Sequence, residues 1–291
     1  MIRGLLIRSL EADPEVTVVA SASNGQIALA NLERHDVEII VLDIEMPVMD
    51  GLTALPKLLA AKPGVKVIIA STITRRGADI SIKALAAGAA DCVTKPGASA
   101  LTSADEFKRE LVAKIKALGH ARRRGPNARS AAPQMTPRSN ATVARTEPQP
   151  RAIALRAPGR EAPDAVAIGS STGGPQALFR VLGALHNAVT QPIFITQHMP
   201  ATFTTILAEH IARTSSYPAA EGVDGQAVRG GRIYVAPGDF HMTVEGPARG
   251  DKVVRLSKGP PENFCRPSVD PMLRSLAAVY GGRVLCLILT G

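Results

Sequence analysis

A basic, proline-rich stretch divides this 291-residue chain in two. Between His120 and Pro163 it holds seven prolines and nine arginines against two acidic residues, Glu147 and Glu161, so it carries +7 of the net charge of +9. It contains almost no large apolar side chains, and such a composition cannot bury a core of its own. We therefore predict a disordered linker at 120–163 that joins a domain at 1–119 to a second domain at 164–291.

The arginines of this linker raise the question of whether the chain binds nucleic acid. A basic arm on nucleic acid is one interpretation, but no recognition module flanks the segment and the rest of the chain carries only +2,. We therefore predict no nucleic acid partner. No apolar run reaches about 18 residues, so no membrane insertion is predicted either.

The cysteines indicate the cellular compartment. Cys92, Cys265 and Cys286 are scattered and odd in number, which argues against a disulfide framework and favours the reducing cytoplasm,. No two of them have the spacing of metal ligands, so no zinc site is predicted.

Both halves alternate apolar runs with helical patterns, which predicts an α/β fold with two doubly wound parallel-sheet domains. In the first half, the predicted strands are 16–20, 37–42, 65–70 and 91–94, and the helices are 1–10, 25–32, 52–61, 80–87 and 103–118. In the second half, the predicted strands are 165–168, 192–196, 231–237, 242–245, 253–256 and 283–289, with helices after Pro175, over 203–211 and over 272–279.

Three polar residues of the first half follow predicted strands, where α/β folds place their chemistry. They are Asp43, Ser71 and Lys95. A carboxylate, a hydroxyl and an ammonium in these places suit phosphoryl transfer to the carboxylate, with the lysine binding the new phosphoryl oxygens. Ordinary loop caps are the alternative, but the joint occurrence of LDIEMPVMDG, a hydroxyl and TKP is more specific.

With these motifs, the first 96 residues resemble the receiver domain of two-component response regulators. The resemblance implies that Asp43 is the phospho-acceptor, Ser71 the switch hydroxyl and Lys95 the phosphoryl-binding lysine. Receivers of this family begin with a strand that ends in an Mg²⁺-binding acidic pair, and this chain has neither. We therefore expect a sheet without its first strand, and Mg²⁺ binding at Asp43 that is weak or absent.

The second half opens on the sequence VAIGSSTGG, an apolar run that ends in small polar residues before a helical pattern. Gly169, Ser171 and Gly173 fit G-x-S-x-G, which in a strand–turn–helix context describes a nucleophile elbow. The serine hydroxyl is then exposed at the strand end, and backbone N–H groups at the helix start can face an oxyanion. A plain glycine-rich turn is the structural alternative.

His198 follows the next predicted strand, so it is a candidate general base towards Ser171. A lone histidine in a loop is more often a cap or a surface residue, and only the preceding elbow favours the catalytic interpretation. His241, after a turn, is a weaker candidate for substrate contact. Asp270 lies at a loop-to-helix boundary and is predicted to be the N-cap of the helix that follows.

Residues 165–291 resemble the catalytic domain of the CheB family of chemotaxis protein-glutamate methylesterases. The motifs IGSSTGG, QHMP, IYVAPGDFH, RPSVD and LILTG stand in the family's order. The resemblance implies that Ser171 is the nucleophile and His198 the base. The Thr172 N–H is the candidate oxyanion donor, because the residue after the nucleophile often has that role.

The same resemblance implies hydrolysis of glutamate methyl esters and deamidation of glutamines on methyl-accepting chemoreceptors, without a cofactor, under control of a chemotaxis histidine kinase. The family's third triad member is an aspartate shortly after LTG, in a segment that also supplies an oxyanion methionine. This chain ends at Gly291. We therefore expect a chain truncated at both ends relative to the family, with impaired hydrolysis.

Three other functions are alternatives to this one. A response regulator that binds DNA needs a helix-turn-helix, and the second half is instead rich in predicted strands. A general α/β-hydrolase has its acid between serine and histidine and usually an HGGG-type motif, which this chain lacks,. An inactive fragment that only binds receptors or the kinase stays open.

Overall fold

The structure, a computed structural model, describes residues 2–96, 101–124 and 161–290. In the first domain, three parallel strands form a sheet in the order β1–β2–β3, with pairs such as Val41 and Ile68 in register. The strands are β1 (Ile39–Asp43), β2 (Lys66–Ser71) and β3 (Asp91–Thr94), and the helices are α1 (Ile2–Leu10), α2 (Gly25–Arg34), α3 (Gly51–Ala61), α4 (Arg75–Ala86) and α5 (Leu101–Arg124).

The second domain contains a five-stranded parallel sheet in the order β10–β4–β5–β7–β6, and a separate antiparallel pair, β8–β9. The strands are β4 (Ala165–Ser170), β5 (Ile193–Gln197), β6 (Ala219–Glu221), β7 (Ile233–Val235), β8 (His241–Glu245), β9 (Val253–Ser257) and β10 (Val284–Ile288), and the helices are α6 (Gly174–Ala184), α7 (Ala201–Thr214) and α8 (Val269–Tyr280). The predicted fold class, parallel-sheet α/β in both halves, is confirmed.

Local sequence explains where these elements begin. Strands β4 and β5 are buried along their whole lengths, as continuous apolar runs of a central parallel strand require,. Asn24, Asp50 and Thr74 each stand before a helix and accept a backbone N–H from its first turn,. The Thr74 cap also explains why α4 begins at Arg75, five residues before the predicted start.

One predicted strand is absent among the described residues, and the predicted end of α5 is wrong. Residues 16–20 form no strand, because within the described residues the sheet ends at β1 and this segment has no strand to pair with. Helix α5 continues to Arg124, past the predicted linker start at 120. Arg122 donates to the Val37 carbonyl at 3.1 Å, and Arg123 forms an ion pair with Glu38 at 2.6 Å, so this end of α5 is bound to the first domain. Residues 125–160 of the predicted linker lie outside the described residues.

The two domains pack together through helices. Helix α4 of the first domain contacts α6 and α7 of the second, and a single apolar cluster includes Ile82 of α4, Leu182 of α6 and Leu207 of α7. Gln176 of α6 also donates to the Ala89 carbonyl at 2.6 Å. Among the helices that the structure describes, none combines the length and apolar character needed to cross a bilayer.

Gly51 allows the start of α3 to pack closely against the carboxyl end of β1. A methyl group on Gly51, the first residue of α3, would collide with the backbone carbonyl of Asp43. We expect Gly51→Ala to lower the free energy of unfolding by roughly 1–3 kcal/mol, the usual cost of overpacking. Urea unfolding followed by circular dichroism measures it.

Gly119→Ala is the matched control for this substitution. Gly119 lies inside α5 with no atom near the position of an added methyl group. Alanine is the better helix former, so this change should be neutral or stabilising by up to about 1 kcal/mol. Equal effects of the two substitutions would contradict the close approach of α3 to β1.

Candidate active site and receiver site

The candidate nucleophile stands in a tight turn between β4 and α6. The Gly174 N–H donates to the Ser171 carbonyl at 2.8 Å, and Gly173 has φ 76° and ψ −1°. These angles are those of the third residue of a type II turn, a position that requires positive φ and so favours glycine. The G-x-S-x-G pattern thus produces the predicted strand–turn–helix, with α6 beginning at Gly174.

Most backbone groups of this turn already have partners. The Ser171 N–H donates to Thr290 Oγ1 at 3.0 Å, and the Ser171 carbonyl accepts from Gln197 Nε2 at 3.0 Å as well as from Gly174. Within the described residues, the Thr172 N–H makes no hydrogen bond. It lies next to the start of α6, where the helix dipole favours negative charge. The turn can therefore offer one backbone donor to a developing oxyanion.

The candidate base stands beside this turn because β4 and β5 are parallel neighbours. Ser170 and Gln197 are paired in register, and the His198 N–H donates to the Ser170 carbonyl at 3.3 Å. The structure thus brings the segments of Ser171 and His198 together, as predicted. Among the described residues, neither the Ser171 hydroxyl nor the His198 ring makes a hydrogen bond. Such bonds are often long in free enzymes and tighten when substrate binds.

The surroundings of His198 favour its neutral form. The ring is half-buried, and burial is the largest cause that lowers its pKa below the ordinary value of 6.5. The ammonium of Lys114, which belongs to the first domain, lowers the pKa further, and the carboxylates of Glu110 and Asp91 partly offset this. A neutral imidazole is the form that can accept the proton of a serine hydroxyl.

Lys114 is the centre of a buried polar cluster of the first domain. Its Nζ lies 3.1 Å from Asp91 Oδ1, 3.1 Å from Glu110 Oε1 and 2.7 Å from the Cys92 carbonyl. Burial disfavours the Lys114 ammonium, but Asp91 and Glu110 outweigh it, and the Lys114 pKa is raised. Sequence reasoning missed this cluster, since its residues come together only in the tertiary fold.

The other candidates of the second domain have structural partners. The buried His241 ring accepts from the Ser268 N–H at 3.2 Å through Nδ1, and its Nε2 lies 3.0 Å from the Pro260 carbonyl. The prediction that Asp270 is the N-cap of α8 is wrong. Helix α8 begins at Val269, so Ser268 is the N-cap and Asp270 lies in the first turn. Its Oδ2 accepts from Asn263 Nδ2 at 2.6 Å.

In the first domain, the three predicted residues come together at the carboxyl ends of the strands. Lys95 Nζ lies 2.5 Å from Asp43 Oδ2, and Ser71 is buried at the end of β2, lining the same pocket. Arg76 also lines this pocket. Arg76 belongs to no sequence motif. It lines the pocket because it lies in the first turn of α4, which begins next to the pocket.

The receiver resemblance implies that Mg²⁺ binds at Asp43. The side chains that the structure describes around Asp43 do not form a set of ligands for this ion. The Asp43 carboxylate pairs with Lys95, and its Oδ1 accepts the Glu45 N–H at 3.2 Å. No group of three or more acidic, histidine or cysteine side chains is placed to hold a metal ion in the part of the chain that the structure describes.

A close contact joins this site to the domain interface. An added methyl group on Gly77, in the first turn of α4, would lie 2.5 Å from the Thr72 carbonyl and 2.8 Å from Ser71 Oγ. Only a glycine lets α4 approach the Ser71 hydroxyl so closely. The same helix packs on α6 and α7 of the second domain.

The fold and the two sites define a response regulator whose output is an α/β enzyme domain. The family model of the response regulator receiver domain matches residues 1–104, and the model of CheB methylesterase matches residues 166–291. The chain belongs to the family of protein-glutamate methylesterases/protein-glutamine glutaminases, as its relatives show.

Two of these relatives carry that name and are 58% identical to the chain. One, from Paramagnetospirillum magneticum, aligns over 300 residues, which is 100% of this chain and 78% of the relative. The other, from Azospirillum brasilense, aligns over 298 residues, 100% of this chain and 75% of the relative. The CheB methylesterase catalytic domain of Thermotoga maritima is 38% identical, covering 45% of this chain and 69% of that one with a TM-score of 0.43.

The surroundings of His198 lead to a prediction about its titration. We expect its pKa in the folded chain to lie below its value in urea, because burial and Lys114 both disfavour the cation. The stability that this difference contributes is present above pH 6.5 and is lost as the pH falls through the lowered pKa,. Imidazole NMR in the folded and unfolded chain measures it, and a folded pKa at or above the unfolded one would contradict the packing around His198.

Proposed function

We propose that the chain hydrolyses glutamate methyl esters, and deamidates glutamines, on chemoreceptors, and that Ser171 and His198 carry the reaction. One observation supports this most directly. The G-x-S-x-G turn leaves the Thr172 N–H unpaired among the described residues and lies beside the segment of a half-buried histidine. The names of the relatives supply the substrate class.

In this mechanism, Ser171 Oγ attacks the ester carbonyl while His198 accepts the hydroxyl proton. The Thr172 N–H stabilises the negative charge on the carbonyl oxygen. Methanol leaves with the proton from His198, and a water molecule then hydrolyses the acyl-enzyme by the same steps, which restores the Ser171 hydroxyl and leaves a glutamate side chain on the receptor. With a glutamine substrate, ammonia leaves in place of methanol. Neither half of the reaction requires a cofactor.

Phosphorylation at Asp43 by a chemotaxis histidine kinase is the proposed control. Lys95 lies against the Asp43 carboxylate and would bind a phosphoryl oxygen, and Ser71 would donate a hydrogen bond to another,. A displacement of Ser71 acts on α4 through the Gly77 contact, and α4 packs on the second domain. The structure thus supports a mechanical route from the receiver site to the candidate active site.

The domain assignment is part of the same proposal. The receiver domain extends to Arg124, where α5 ends, and the catalytic domain begins at Asp164 next to β4. The free, scattered cysteines support a location in the reducing cytoplasm,.

Loss of the nucleophile is the first test of the proposed function. Ser171→Ala should abolish methanol release from methylated receptor membranes, because it removes the proposed nucleophile and the neighbouring Ser170 hydroxyl is already bonded to Gln197. Ser257→Ala, an exposed serine at the end of β9, is the control and should leave the rate unchanged. Methanol release by Ser171→Ala at the wild-type rate would remove Ser171 from the mechanism.

Phosphorylation gives a second test. Acetyl phosphate, with and without Mg²⁺, should add one phosphoryl group that intact-mass spectrometry detects. Asp43→Asn should not acquire it, whereas Asp36→Asn, which changes an exposed aspartate paired with Lys62, should behave like the wild type. Labelling that persists in Asp43→Asn would place the acceptor elsewhere.

A further inference from the structure

Gln197, the last residue of β5, contacts both parts of the candidate active site. The residue is 1% exposed. Its Oε1 accepts from the Ser170 hydroxyl at 2.7 Å, and its Nε2 lies 3.0 Å from the Ser171 carbonyl and 3.4 Å from the His198 carbonyl. One buried amide thus links the segment of the candidate nucleophile to that of the candidate base.

These partners determine which way the amide faces. The two backbone carbonyls can only accept hydrogen bonds, so the NH₂ group must point towards them. The Ser170 hydroxyl can then donate to the oxygen on the other side. A flipped amide would place its oxygen against the Ser171 and His198 carbonyls, leaving three acceptors together in a buried site.

The orientation of the amide fixes that of a peptide plane. In a planar trans peptide, the carbonyl and the following N–H point in opposite directions. Because the Ser171 carbonyl points to the amide of Gln197 and to the Gly174 N–H, the Thr172 N–H points away from them. Thr290 fixes the preceding peptide in the same way by accepting the Ser171 N–H.

We propose that Gln197 is a positioning residue that keeps the Ser171–Thr172 peptide in the one orientation that presents the Thr172 N–H to the oxyanion. If this peptide flipped, a carbonyl oxygen would face the developing negative charge in place of a donor. Gln197 itself does not touch the substrate, since its amide is buried and its polar atoms have protein partners. The identity of the ester substrate rests on the proposed function.

Gly174 provides independent support. A methyl group on this residue would collide with Gln197 Oε1 and would lie 2.8 Å from the Ser170 Cβ. The φ angle of Gly174 is not positive, so the backbone does not require a glycine there. Its function is therefore to leave room for the amide, and Gly174→Ala should displace the amide without altering Gln197 itself.

The test uses a fluorophosphonate probe on the full chain. The probe phosphonylates an activated serine with loss of fluoride, and its phosphoryl oxygen occupies the position of the oxyanion, so labelling does not depend on a receptor. Gln197→Glu retains the acceptor for Ser170 but loses both donors and places a carboxylate against two carbonyls. We expect labelling at Ser171 to be about 10²-fold slower in Gln197→Glu and in Gly174→Ala, the range for loss of one oxyanion donor.

Gln226→Glu is the matched control. Gln226 also bonds the backbone through its side chain, accepting the Val223 N–H at 3.1 Å, but it lies in an exposed loop. Its labelling rate should equal that of the wild type.

A second readout separates positioning from general stability. In the wild-type phosphonyl adduct, the Thr172 amide should be protected from hydrogen exchange, and in the Gln197→Glu adduct it should exchange freely. On receptor membranes, the same variant should lower kcat and leave KM unchanged, because the donor acts only in the transition state. Wild-type labelling by Gln197→Glu, or a protected Thr172 amide in its adduct, would overturn the proposal.

The outcomes distinguish this inference from the proposed function. If the wild type is labelled at Ser171 but releases no methanol from receptors, the substrate assignment fails and the function of Gln197 stands. If the wild type is not labelled at all, both fail. Should Gln197→Glu not fold, Gly174→Ala displaces the amide while keeping Gln197, and an unchanged labelling rate in that variant contradicts the proposal.

Discussion

The parallel pairing of β4 with β5 is the constraint on which the candidate active site depends. Two parallel neighbours end at the same edge of a sheet, so the residues that follow them come together even though 27 positions separate Ser171 from His198,. The Ser170–Gln197 register also places the Gln197 amide below the turn. A shift by one residue would turn this side chain to the opposite face of the sheet and remove the support of the Ser171–Thr172 peptide.

The contact between the domains is mainly apolar, and this determines how it can be controlled. Its ion pair, Arg75 with Glu209 at 3.0 Å, has side chains that are 75% and 41% exposed, so it contributes about 0–1 kcal/mol,. The burial of α4 side chains such as Ile82 against α6 and α7 is the larger effect,. An apolar interface responds to a change in the position of α4 more than to a change in surface charge. The close contact at Gly77 joins α4 to the Ser71 hydroxyl at the end of β2.

Sequence patterns predicted those features that depend on neighbouring residues. The apolar runs predicted the central strands, and the glycines around Ser171 predicted the turn. Both predictions succeed because these features depend on the residues nearby in the sequence. Residues 16–20 have a strand-like sequence but form no strand, since a strand also needs a partner. The functions of Gln197 and Lys114 could not be predicted, although Gln197 stands next to His198 in the sequence. Both depend on which groups the tertiary fold places opposite their side chains.

The charge environment of His198 indicates how the first domain can influence the reaction. Burial is the largest cause of its lowered pKa, while Lys114 is opposed by Glu110 and Asp91, all three from the receiver side. Burial and Lys114 thus favour the neutral imidazole, the form that can accept a proton,. Part of what keeps the His198 ring neutral comes from the first domain through Lys114, and the apolar packing of α4 on α6 and α7 holds the two domains in the arrangement that provides it.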